Sequence, residues 1–395
     1  MNKLTVKDMD FKGKKVIIRV DFNVPLEDRK ITDDRRIRAA LPTIQYVLKE
    51  GSAKVILMSH LGRPKGEVVE TMRLNPVGER LESLLGEKVL CLSDCIGDGV
   101  RQSLEDSSER VILLENLRFH KEETKNDPEF AKQLASLADV YVNDAFGTAH
   151  RAHASTEGIT QFLPSGAGFL LEKELTYLGQ AIDHPPKPFV VILGGAKVSD
   201  KIALIENLLK KADCIIIGGG MVYTFLKAQG KNIGKSLLEG DKIDTARMIL
   251  QKAEEAGVQM ALASDFVIVQ DFDKPQDLKI VKDIPEDWEG VDIGPESREA
   301  FKKILSSAKT IVWNGPVGVF EINAFSEGTK DLAEYIAGLK DVVSIIGGGD
   351  TAAAVAKFGC EEGMTHISTG GGASLELLEG RELPGIAALN DKPTS

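Results

Sequence analysis

The sequence predicts an α/β protein with two doubly wound parallel-sheet domains of Rossmann-like form, joined by a helix and a hinge. Short runs rich in Val, Ile and Leu alternate with helical segments, the pattern of a parallel sheet covered on both faces. The 395 residues exceed the roughly 100 to 200 of one ordinary domain. Glycines or polar residues follow the strands, at the edge where open α/β sheets bind ligands. We therefore expect a binding site in each domain.

The predicted strands are short apolar runs whose polar residues lie at the carboxyl end. In the first half they cover residues 15–22, 54–60, 88–94, 110–116 and 139–146. In the second half they cover residues 189–195, 214–220, 258–266, 309–315, 342–349 and 366–371. Four of the second-half runs end in two or three glycines, which indicates backbone N–H groups that can approach an anion.

An amphipathic helix is predicted between the halves, over Phe169–Asp183, because its leucines and its isoleucine share one face. The prolines of “HPPKP” directly after it end the helix and stiffen the connection. We interpret residues 171–188 as the boundary between a first domain, residues 1–170, and a second domain that begins at residue 189. An ordinary surface loop is the alternative.

The composition is that of a globular protein, with 43% apolar and 28% charged residues. No apolar run approaches the roughly 18 residues that span a bilayer, and no signal region is visible, so we expect a cytoplasmic location. The net charge of -11 disfavours nucleic acid or an acidic membrane surface as the main partner. The four cysteines form no C-x-x-C motif, which indicates reduced, structural thiols.

Charge is distributed unevenly along the chain. Residues 1–170 contain 25 Lys and Arg against 26 Asp and Glu, whereas residues 171–395 contain 24 against 34. The first segment also holds 12 of the 15 arginines, whose planar fork matches carboxylate and phosphate oxygens. The first half therefore resembles an anion binder that uses side chains, and the second half one that uses glycine backbone.

The first-half candidates follow successive strands. The motif “RVDFNVP” carries Asp21 and Asn23, and the basic run “DDRRIRAA” comes shortly after it. Further along lie “SHLGRPKG”, “ENLRFH” and “FGTAHRAH”, which contribute His60, Arg63, Arg118 and Arg151. Taken singly, such residues are as typical of turns and solvated surface. Their repetition at strand ends, which converge in a doubly wound sheet, favours one anion site.

In the second half, “GGAKVSDKIALIENLL” places Lys197 and Lys201 four residues apart, which predicts one helix face after a glycine turn. Two stacked ammonium groups repel unless an anion lies near them, and a phosphate would supply it. Glu321 in “WNGPVGVFE” follows a turn and is a weak candidate for accepting hydrogen bonds from ribose hydroxyls.

Three competing patterns are disfavoured. Gly347, Gly349 and Ala352 fit a dinucleotide fingerprint, but the next strand ends in glycines instead of the acid that would bind ribose. The segment “GKNIGKS” lacks the first glycine and the preceding strand of a P-loop. The histidines 120, 150 and 153 have no carboxylate or cysteine at a helpful sequence spacing, so zinc is not expected there.

Taken together, the motifs resemble those of the phosphoglycerate kinase family, in order and over nearly the whole chain. They are “RVDFNVP”, “SHLGRPKG”, “ENLRFH”, “VNDAFGTAHRAHAS”, “GGAKVSDKI”, “GGGM”, “DIGPES”, “WNGPVGVFE”, “GGGDT” and “STGGGASLELLEG”. The resemblance implies a 3-phosphoglycerate-binding domain over residues 1–170 and a domain for Mg-ATP or Mg-ADP over residues 189–375. It also implies that residues 376–395 return to the first domain, and that the protein acts as a monomer.

The resemblance implies site residues at matching positions. Those for 3-phosphoglycerate or 1,3-bisphosphoglycerate are Asp21, Asn23, Arg36, His60, Arg63, Arg118 and Arg151. Those for the nucleotide are Lys197, Lys201, Gly219, Gly294, Asn314, Pro316, Glu321, Gly348, Gly349, Asp350 and Thr351, with Asp350 bound to the Mg²⁺ of the nucleotide. The catalytic groups are Arg36, Lys197, Lys201 and the backbone of Gly370, Gly371 and Gly372.

The implied reaction explains the residue types. A carboxylate nucleophile is already ionised at neutral pH and needs no general base, so the transferring phosphoryl group requires mainly positioned cations and dipoles. Two alternatives remain at this point. An NAD-dependent dehydrogenase would need the missing ribose-binding acid, and a non-catalytic nucleotide-binding protein would have lost Arg36 or Lys197, which are both present.

Overall fold

The computed structural model describes residues 2–275 and 277–393 and confirms the predicted α/β fold class. Contacts divide the chain into two compact units, one of Met1–Thr176 with Glu382–Ser395 and one of Tyr177–Arg381. The predicted domain bounds, residues 1–170, 171–188, 189–375 and 376–395, differ in detail and remain predictions. No helix among the described residues is both long enough and apolar enough to cross a bilayer.

The strands of the first unit are β1 (Lys15–Val20), β2 (Leu26–Glu27), β3 (Lys30–Ile31), β4 (Lys54–Met58), β5 (Val89–Cys91), β6 (Val111–Leu113), β7 (Val140–Asp144) and β8 (Ser165–Ala167). Those of the second unit are β9 (Phe189–Leu193), β10 (Cys214–Ile217), β11 (Gln259–Leu262), β12 (Phe266–Val269), β13 (Lys279–Val281), β14 (Glu289–Ile293), β15 (Thr310–Asn314), β16 (Val343–Gly347) and β17 (His366–Ile367).

The α-helices are α1 (Arg35–Lys49), α2 (Asn75–Leu85), α3 (Asp98–Asp106), α4 (Lys121–Thr124), α5 (Pro128–Ala135), α6 (Phe169–Asp183), α7 (Ile202–Leu208), α8 (Met221–Ala228), α9 (Ile243–Ala256), α10 (Pro295–Leu305), α11 (Glu327–Gly338), α12 (Gly349–Lys357), α13 (Gly372–Leu378) and α14 (Pro384–Ala387). Single 3₁₀ turns occur at Val6–Asp8, Glu70–Met72, Leu117–Phe119, Phe146–Thr148, Gly158–Gln161, Gly240–Lys242, Asn323–Phe325 and Glu361–Gly363.

The first unit is built on a six-stranded parallel sheet in the order β5-β6-β4-β1-β7-β8. In the central strand, Val16 pairs with Val55 on one side and with Val140 on the other. These β-branched side chains are almost fully buried, as expected for a sheet covered on both faces. All its strands run the same way, so the loops after β1, β4 and β6 leave from one edge.

The last residues of the chain complete the first unit. The backbone N–H of Leu4 donates to the carbonyl of Asn390 at 2.9 Å, and the buried Asn143 amide donates to Gly385 at 2.9 Å. Ile386 is 1% exposed, so this segment contributes apolar core as well as hydrogen bonds.

The second unit repeats the design with a parallel sheet in the order β11-β10-β9-β15-β16-β17. It adds a smaller sheet, β13-β12-β14, whose neighbouring strands are antiparallel and which the sequence did not predict. Of the predicted strand over residues 258–266, Gln259–Leu262 forms β11 and Phe266 begins β12, with a bend at Ser264 and Asp265 between them. At this bend, the Asp265 carboxylate accepts hydrogen bonds from the backbone N–H groups of Glu296 and Ser297, in the first turn of α10.

Candidate active site

The loops after β1 and β4 are held together by side-chain oxygens in the first unit. Asp21 is 9% exposed, and its Oδ1 accepts from the backbone N–H of Asn23 at 3.2 Å. Asn23 Oδ1 in turn accepts from the backbone N–H of Gly62 at 2.8 Å. Asp21 and Asn23, which are also typical turn residues, thus do accept hydrogen bonds in turns, and through Asn23 they join the loops after β1 and β4.

Arg36 lies in the first turn of α1 and pairs with Asp21. Its Nη1 donates to Asp21 Oδ2 at 2.8 Å, while the side chain keeps 39% of its surface exposed. The ion pair orients the guanidinium and leaves other N–H groups for a ligand, because the group has five donors.

Arg118 is a buried cation of this site, at 7% exposure. Its Nη1 donates to the Gly62 carbonyl at 2.8 Å, but its buried Nε and Nη2 have no hydrogen-bond partner among the described residues. Burial, together with the charges of Arg19 and Arg151, lowers the pKa of Arg118 to about 10. Buried donors without partners are costly, so this side chain is arranged for an anion.

His60 is neutral in this setting. Burial lowers its pKa well below the ordinary value, and the surrounding charges of Arg19, Arg118 and other arginines lower it further. Arg19 Nη2 lies 3.0 Å from His60 Nδ1, and a guanidinium can only donate, so Nδ1 is the acceptor. The proton of the neutral ring is therefore on Nε2, which can donate to a ligand.

A buried network lies behind His60. Arg19 is fully buried, and its Nε donates to Ser155 Oγ at 2.8 Å. That hydroxyl donates to the fully buried Glu123 at 2.6 Å. The carboxylate of Glu123 supplies a negative charge for Arg19, which makes the burial of both groups tolerable.

Arg63, Arg118 and Arg151 line one cavity of about 380 Å³. Further cationic and imidazole groups line the same cavity and were not predicted, namely Lys65, His120, Lys121, Lys125 and His153. Their signal was present, since “RPKG” and “RFHKEETK” continue the two arginine motifs with lysines. The cavity is therefore more strongly positive than the arginines alone predicted, which suits a phosphate.

In the second unit, glycine lets three strand-end loops approach one another. Gly219, after β10, has a φ of +62°, and a Cβ there would lie 2.6 Å from the Gly195 nitrogen and 2.9 Å from the Pro316 oxygen. The Gly195 N–H donates to Pro316 at 3.1 Å, and the Gly219 N–H donates to Val317 at 2.9 Å. Only glycine fits at Gly219, because any side chain would collide with the backbone of the neighbouring loops. The glycine is therefore required by the close approach of these loops.

The two lysines of “GGAKVSDKI” do not share a helix face, and that prediction is wrong. Helix α7 begins only at Ile202, because the chain first makes a turn in which the N–H of Lys201 donates to Val198 at 2.9 Å. Lys197 is exposed in the preceding loop. Lys201 is partly buried and its Nζ donates to Asn314 Oδ1. Burial lowers the pKa of Lys201, opposed by the charges of Asp200 and Asp350.

The “GGGDT” segment begins helix α12, as the strand-to-helix pattern indicates. Gly348 precedes the helix with a φ of +86°, and Asp350 stands exposed in its first turn. The buried Thr351 accepts from the Gly315 N–H at 2.7 Å. The Nδ2 of Asn314 faces this turn and has no hydrogen-bond partner within the described part of the chain. The ends of β15 and β16 therefore present the unpartnered Nδ2 of Asn314 and the exposed carboxylate of Asp350.

The remaining candidates lie on neighbouring loops of the same unit. Gly371 has a φ of +51° and leads into α13, while the Gly370 N–H donates to Ser368 at 3.1 Å. Glu321 is exposed at the end of the loop after β15. Gly294 directly follows β14, which receives a hydrogen bond from that loop, Val319 N–H to Val291 at 3.0 Å.

Comparison with known proteins identifies relatives along almost all of the chain. The phosphoglycerate kinase family profile matches residues 6–381. The chain is 58% identical to the phosphoglycerate kinase of Dictyoglomus turgidum over 392 residues, 98% of both chains. It is 57% identical to that of Moorella thermoacetica over 395 residues, 99% of this chain and 100% of the relative.

Solved structures agree with the sequence relatives. The structure of phosphoglycerate kinase from Coxiella burnetii matches with a TM-score of 0.90 at 42% identity, over 98% of each chain. The enzyme from Pyrococcus horikoshii matches with a TM-score of 0.80 at 34% identity, again over 98% of each chain. The family resemblance of the motifs is thereby confirmed, and the chain belongs to the phosphoglycerate kinase family.

Proposed function

We propose that the residues described above carry out the reaction of this family, with the first unit binding the carboxylate substrate and the second unit binding the nucleotide. The chain is a phosphotransferase with a carboxyl acceptor, and it transfers a phosphoryl group reversibly between ATP and 3-phosphoglycerate. The observation that carries the assignment of roles is the pair of unpartnered, buried donors of Arg118 in the cationic cavity.

Arg63, Arg118 and Arg151 bind the 3-phosphate in this proposal. A phosphate accepts two N–H groups from one guanidinium, so the free Nε and Nη2 of Arg118 match it geometrically. Asp21, Asn23 and the Nε2–H of His60 orient the hydroxyl and carboxylate of the same substrate. Neutral His60 binds without adding another charge to the arginines, consistent with its lowered pKa.

Lys197, Lys201 and the glycine-rich loops bind the nucleotide phosphates. Backbone N–H groups at Gly348 and Gly349 and the start of α12 offer positive partial charge to an anion. Gly219, Gly294, Asn314, Pro316 and Thr351 shape the remainder of the nucleotide site, and Glu321 accepts from the ribose hydroxyls.

Asp350 is the residue that we assign to Mg²⁺. Its carboxylate is a hard oxygen ligand, and it stands exposed beside the proposed phosphate site, where Mg²⁺ is typically shared between one carboxylate and the phosphates. When bound, Mg²⁺ neutralises phosphate charge in the transferring group.

Charge stabilisation, not proton transfer, is the catalytic task of these side chains. The attacking carboxylate is ionised at neutral pH, so the chain needs no base for it. Arg36 stabilises the acceptor side of the phosphoryl group, and Lys197, Lys201 and the amides of Gly370, Gly371 and Gly372 stabilise the donor side. Fixed cations and dipoles act here without reorganising during transfer.

A coupled assay tests the proposal. We expect ADP to form only when ATP, Mg²⁺ and 3-phosphoglycerate are all present, and turnover to be lost when 2-phosphoglycerate replaces 3-phosphoglycerate. ATP hydrolysis at the same rate without an acceptor would contradict the assigned carboxylate site. Replacing Mg²⁺ by Ca²⁺ should abolish turnover while leaving 3-phosphoglycerate binding, measured by calorimetry, unchanged.

We further propose that the protein acts as a cytoplasmic monomer without a nucleic-acid or membrane partner. The net charge of -11 supports the second part, because polyanions repel such a chain. Light scattering coupled to gel filtration should give the mass of one chain, and a dimer mass would contradict the proposal.

A further inference from the structure

A cluster of three potential metal ligands lies beside the cationic cavity. Asp94, Cys95 and His120 each offer one ligand atom, and these atoms all lie within 4.8 Å of one another. His120 Nε2 and Asp94 Oδ1 are 2.7 Å apart. Sequence spacing did not indicate this set, because Asp94 and His120 are 26 positions apart.

The fold brings the three ligands together through neighbouring strands. Asp94 and Cys95 follow β5, and His120 follows β6, its parallel neighbour, in which Leu113 pairs with Cys91. The Glu115 N–H also donates to the Asp94 carbonyl at 3.3 Å, which ties the two loops together. The His120 ring packs on a phenylalanine with centroids 5.3 Å apart, so its orientation is fixed by packing.

We propose that Asp94, Cys95 and His120 form a binding site for a thiophilic divalent cation of the Zn²⁺ class. A set of one sulfur, one nitrogen and one carboxylate oxygen is the ligand chemistry of Zn²⁺ and is foreign to Mg²⁺, which takes oxygen ligands. The site is therefore distinct in chemistry from the Mg-nucleotide site of the second unit. Three protein ligands leave the fourth tetrahedral position for water.

The distances require only small adjustments. In a tetrahedral zinc site, ligand atoms of these types stand roughly 3.3 to 3.6 Å apart. The present separations, from 2.7 Å up to a limit of 4.8 Å, bracket that range. The Asp94 side chain is 51% exposed and can rotate to adjust its position, whereas Cys95 is fully buried and provides the fixed end of the site.

Acidic groups lie around the cluster, as well as the lysines and arginines of the cavity. Burial, together with the negative charges of Asp94, Glu123 and Glu115, raises the pKa of the Cys95 thiol well above its ordinary value, so a bound metal ion replaces the thiol proton, which is released to solvent. Glu115 and Glu123 are themselves buried, at 3% and 0% exposure, so solvent screens their field weakly. Asp94 and the partly exposed His120 form the side from which an ion can enter.

Occupancy would join the loops after β5 and β6 through a metal. His120 is two positions from Arg118, so the bound ion would restrain the segment that carries this cavity arginine. The site itself does not depend on the proposed function, because its ligands and its test involve neither substrate nor nucleotide.

Cobalt spectroscopy tests the site directly. The full chain, treated with a chelator and kept free of nucleotide, is titrated with Co²⁺, which reports its ligands by colour. We expect a single Co²⁺ per chain with a thiolate-to-cobalt charge-transfer band, displacement by Zn²⁺ but not by excess Mg²⁺, and a higher melting temperature with Zn²⁺.

Variants identify the ligands. Cys95→Ala and His120→Gln should each abolish the charge-transfer band and the Zn²⁺-dependent rise in melting temperature, whereas Cys91→Ala, on the preceding strand, should retain both. His120→Gln keeps the proposal testable if loss of the buried Cys95 impairs folding, because His120 is partly exposed. No charge-transfer band in the parent chain, or a band that persists in His120→Gln or disappears in Cys91→Ala, would overturn the assignment.

Discussion

Some side chains of the first unit are placed for ligand binding in a way that lowers the stability of the ligand-free protein. Arg118 has two buried donors without partners among the described residues, and the charges of Arg19 and Arg151 act against its own. Such a group lowers stability when no anion is bound, because its desolvation is not repaid by hydrogen bonds. Binding of a phosphate supplies the missing hydrogen-bond acceptors and removes that cost.

Arg118→Met separates binding from stability. We expect the KM for 3-phosphoglycerate to rise about 10- to 150-fold, which corresponds to a lost charged hydrogen bond of about 1.5–3 kcal/mol. The melting temperature of the ligand-free protein should rise by about 2–4 °C, because a buried cation with two unpartnered donors is removed. Steady-state kinetics and calorimetry measure the two effects. Arg101→Met, at a surface pair with Asp98, is the control and should change neither. A lower melting temperature with an unchanged KM would contradict the assignment.

Lys197→Ala should act on the rate. The side chain is exposed in the loop before α7, so its removal leaves packing intact. We expect kcat to fall about 10²- to 10³-fold with a smaller change in either KM, because a cation aimed at the transferring group acts mainly in the transition state. Lys210→Ala, at an exposed lysine after α7, should leave both constants unchanged. A raised KM for ATP at unchanged kcat would make Lys197 a ground-state phosphate ligand instead.

At the scale of elements, buried carboxylates join strands to the helices that follow. Asp144 at the end of β7 accepts from the N–H groups of Leu170 at 2.9 Å and Leu171 at 3.3 Å, the first turn of α6. Its other oxygen is buried and has no partner among the described residues. Burial raises the pKa of Asp144 to about 7, against the opposing hydrogen bonds. The cap of α6 is therefore a carboxyl group that resists ionisation.

Asp144→Asn should show a pH-dependent effect on stability. A carboxyl whose pKa is raised in the folded state binds more protons there than in the unfolded chain, so its contribution to stability falls as pH rises from about 4 to 7. Asparagine mimics the protonated form and cannot titrate. We expect the melting temperature of the variant, relative to the parent, to increase between pH 5 and pH 8. Asp98→Asn, at an exposed side chain, should give a flat difference. A parallel response in both variants would refute the assigned titration.

Elements with strong periodicity could be predicted, and those fixed by distant side chains could not. The parallel strands and α6 follow from buried β-branched runs and a leucine face. Strand β8 was missed because “SGA” lacks β-branched residues, and the bend after β11 depends on the contact of Asp265 with α10. The proximity of Asp94, Cys95 and His120 was not predicted, because strand pairing and not sequence spacing brings these side chains together.

The same distinction holds within the active site. Arg63, Arg118 and Arg151 were predicted because each lies in a motif that follows a strand. Arg19 is the first residue of “RVDFNVP” but lies inside β1, and no role was assigned to it. Its role becomes visible only through its contact with His60 at 3.0 Å. The wrong placement of Lys197 on a helix arose because four-residue spacing was taken as helical where the chain makes a turn.

At the scale of the whole molecule, each unit has its own six-stranded parallel sheet, and residues near the C-terminal end of the chain complete the first unit. Gly385 donates its N–H to Ala149 at 2.9 Å, and Asn390 accepts from both Leu4 and Ser165. The first unit therefore cannot form its complete core until the last residues are available. The second unit, Tyr177–Arg381, is continuous in sequence and has no such requirement.

Ile386→Ala tests whether the first unit, but not the second, depends on the C-terminal segment for its stability. The side chain is 1% exposed, and its truncation should cost about 2–5 kcal/mol of unfolding free energy, because a cavity is left in the first unit. Native-state hydrogen exchange should show lower protection in the strands of the first sheet, β1, β4 and β7, with β9, β10 and β15 unchanged. Nucleotide binding to the second unit should remain, while the affinity for 3-phosphoglycerate falls.

Arg381→Ala, at an exposed arginine just before the C-terminal segment, is the matched control and should alter neither sheet. Equal loss of protection in both sheets would mean that the two units unfold as one cooperative structure, and the separate stability of the second unit would have to be abandoned.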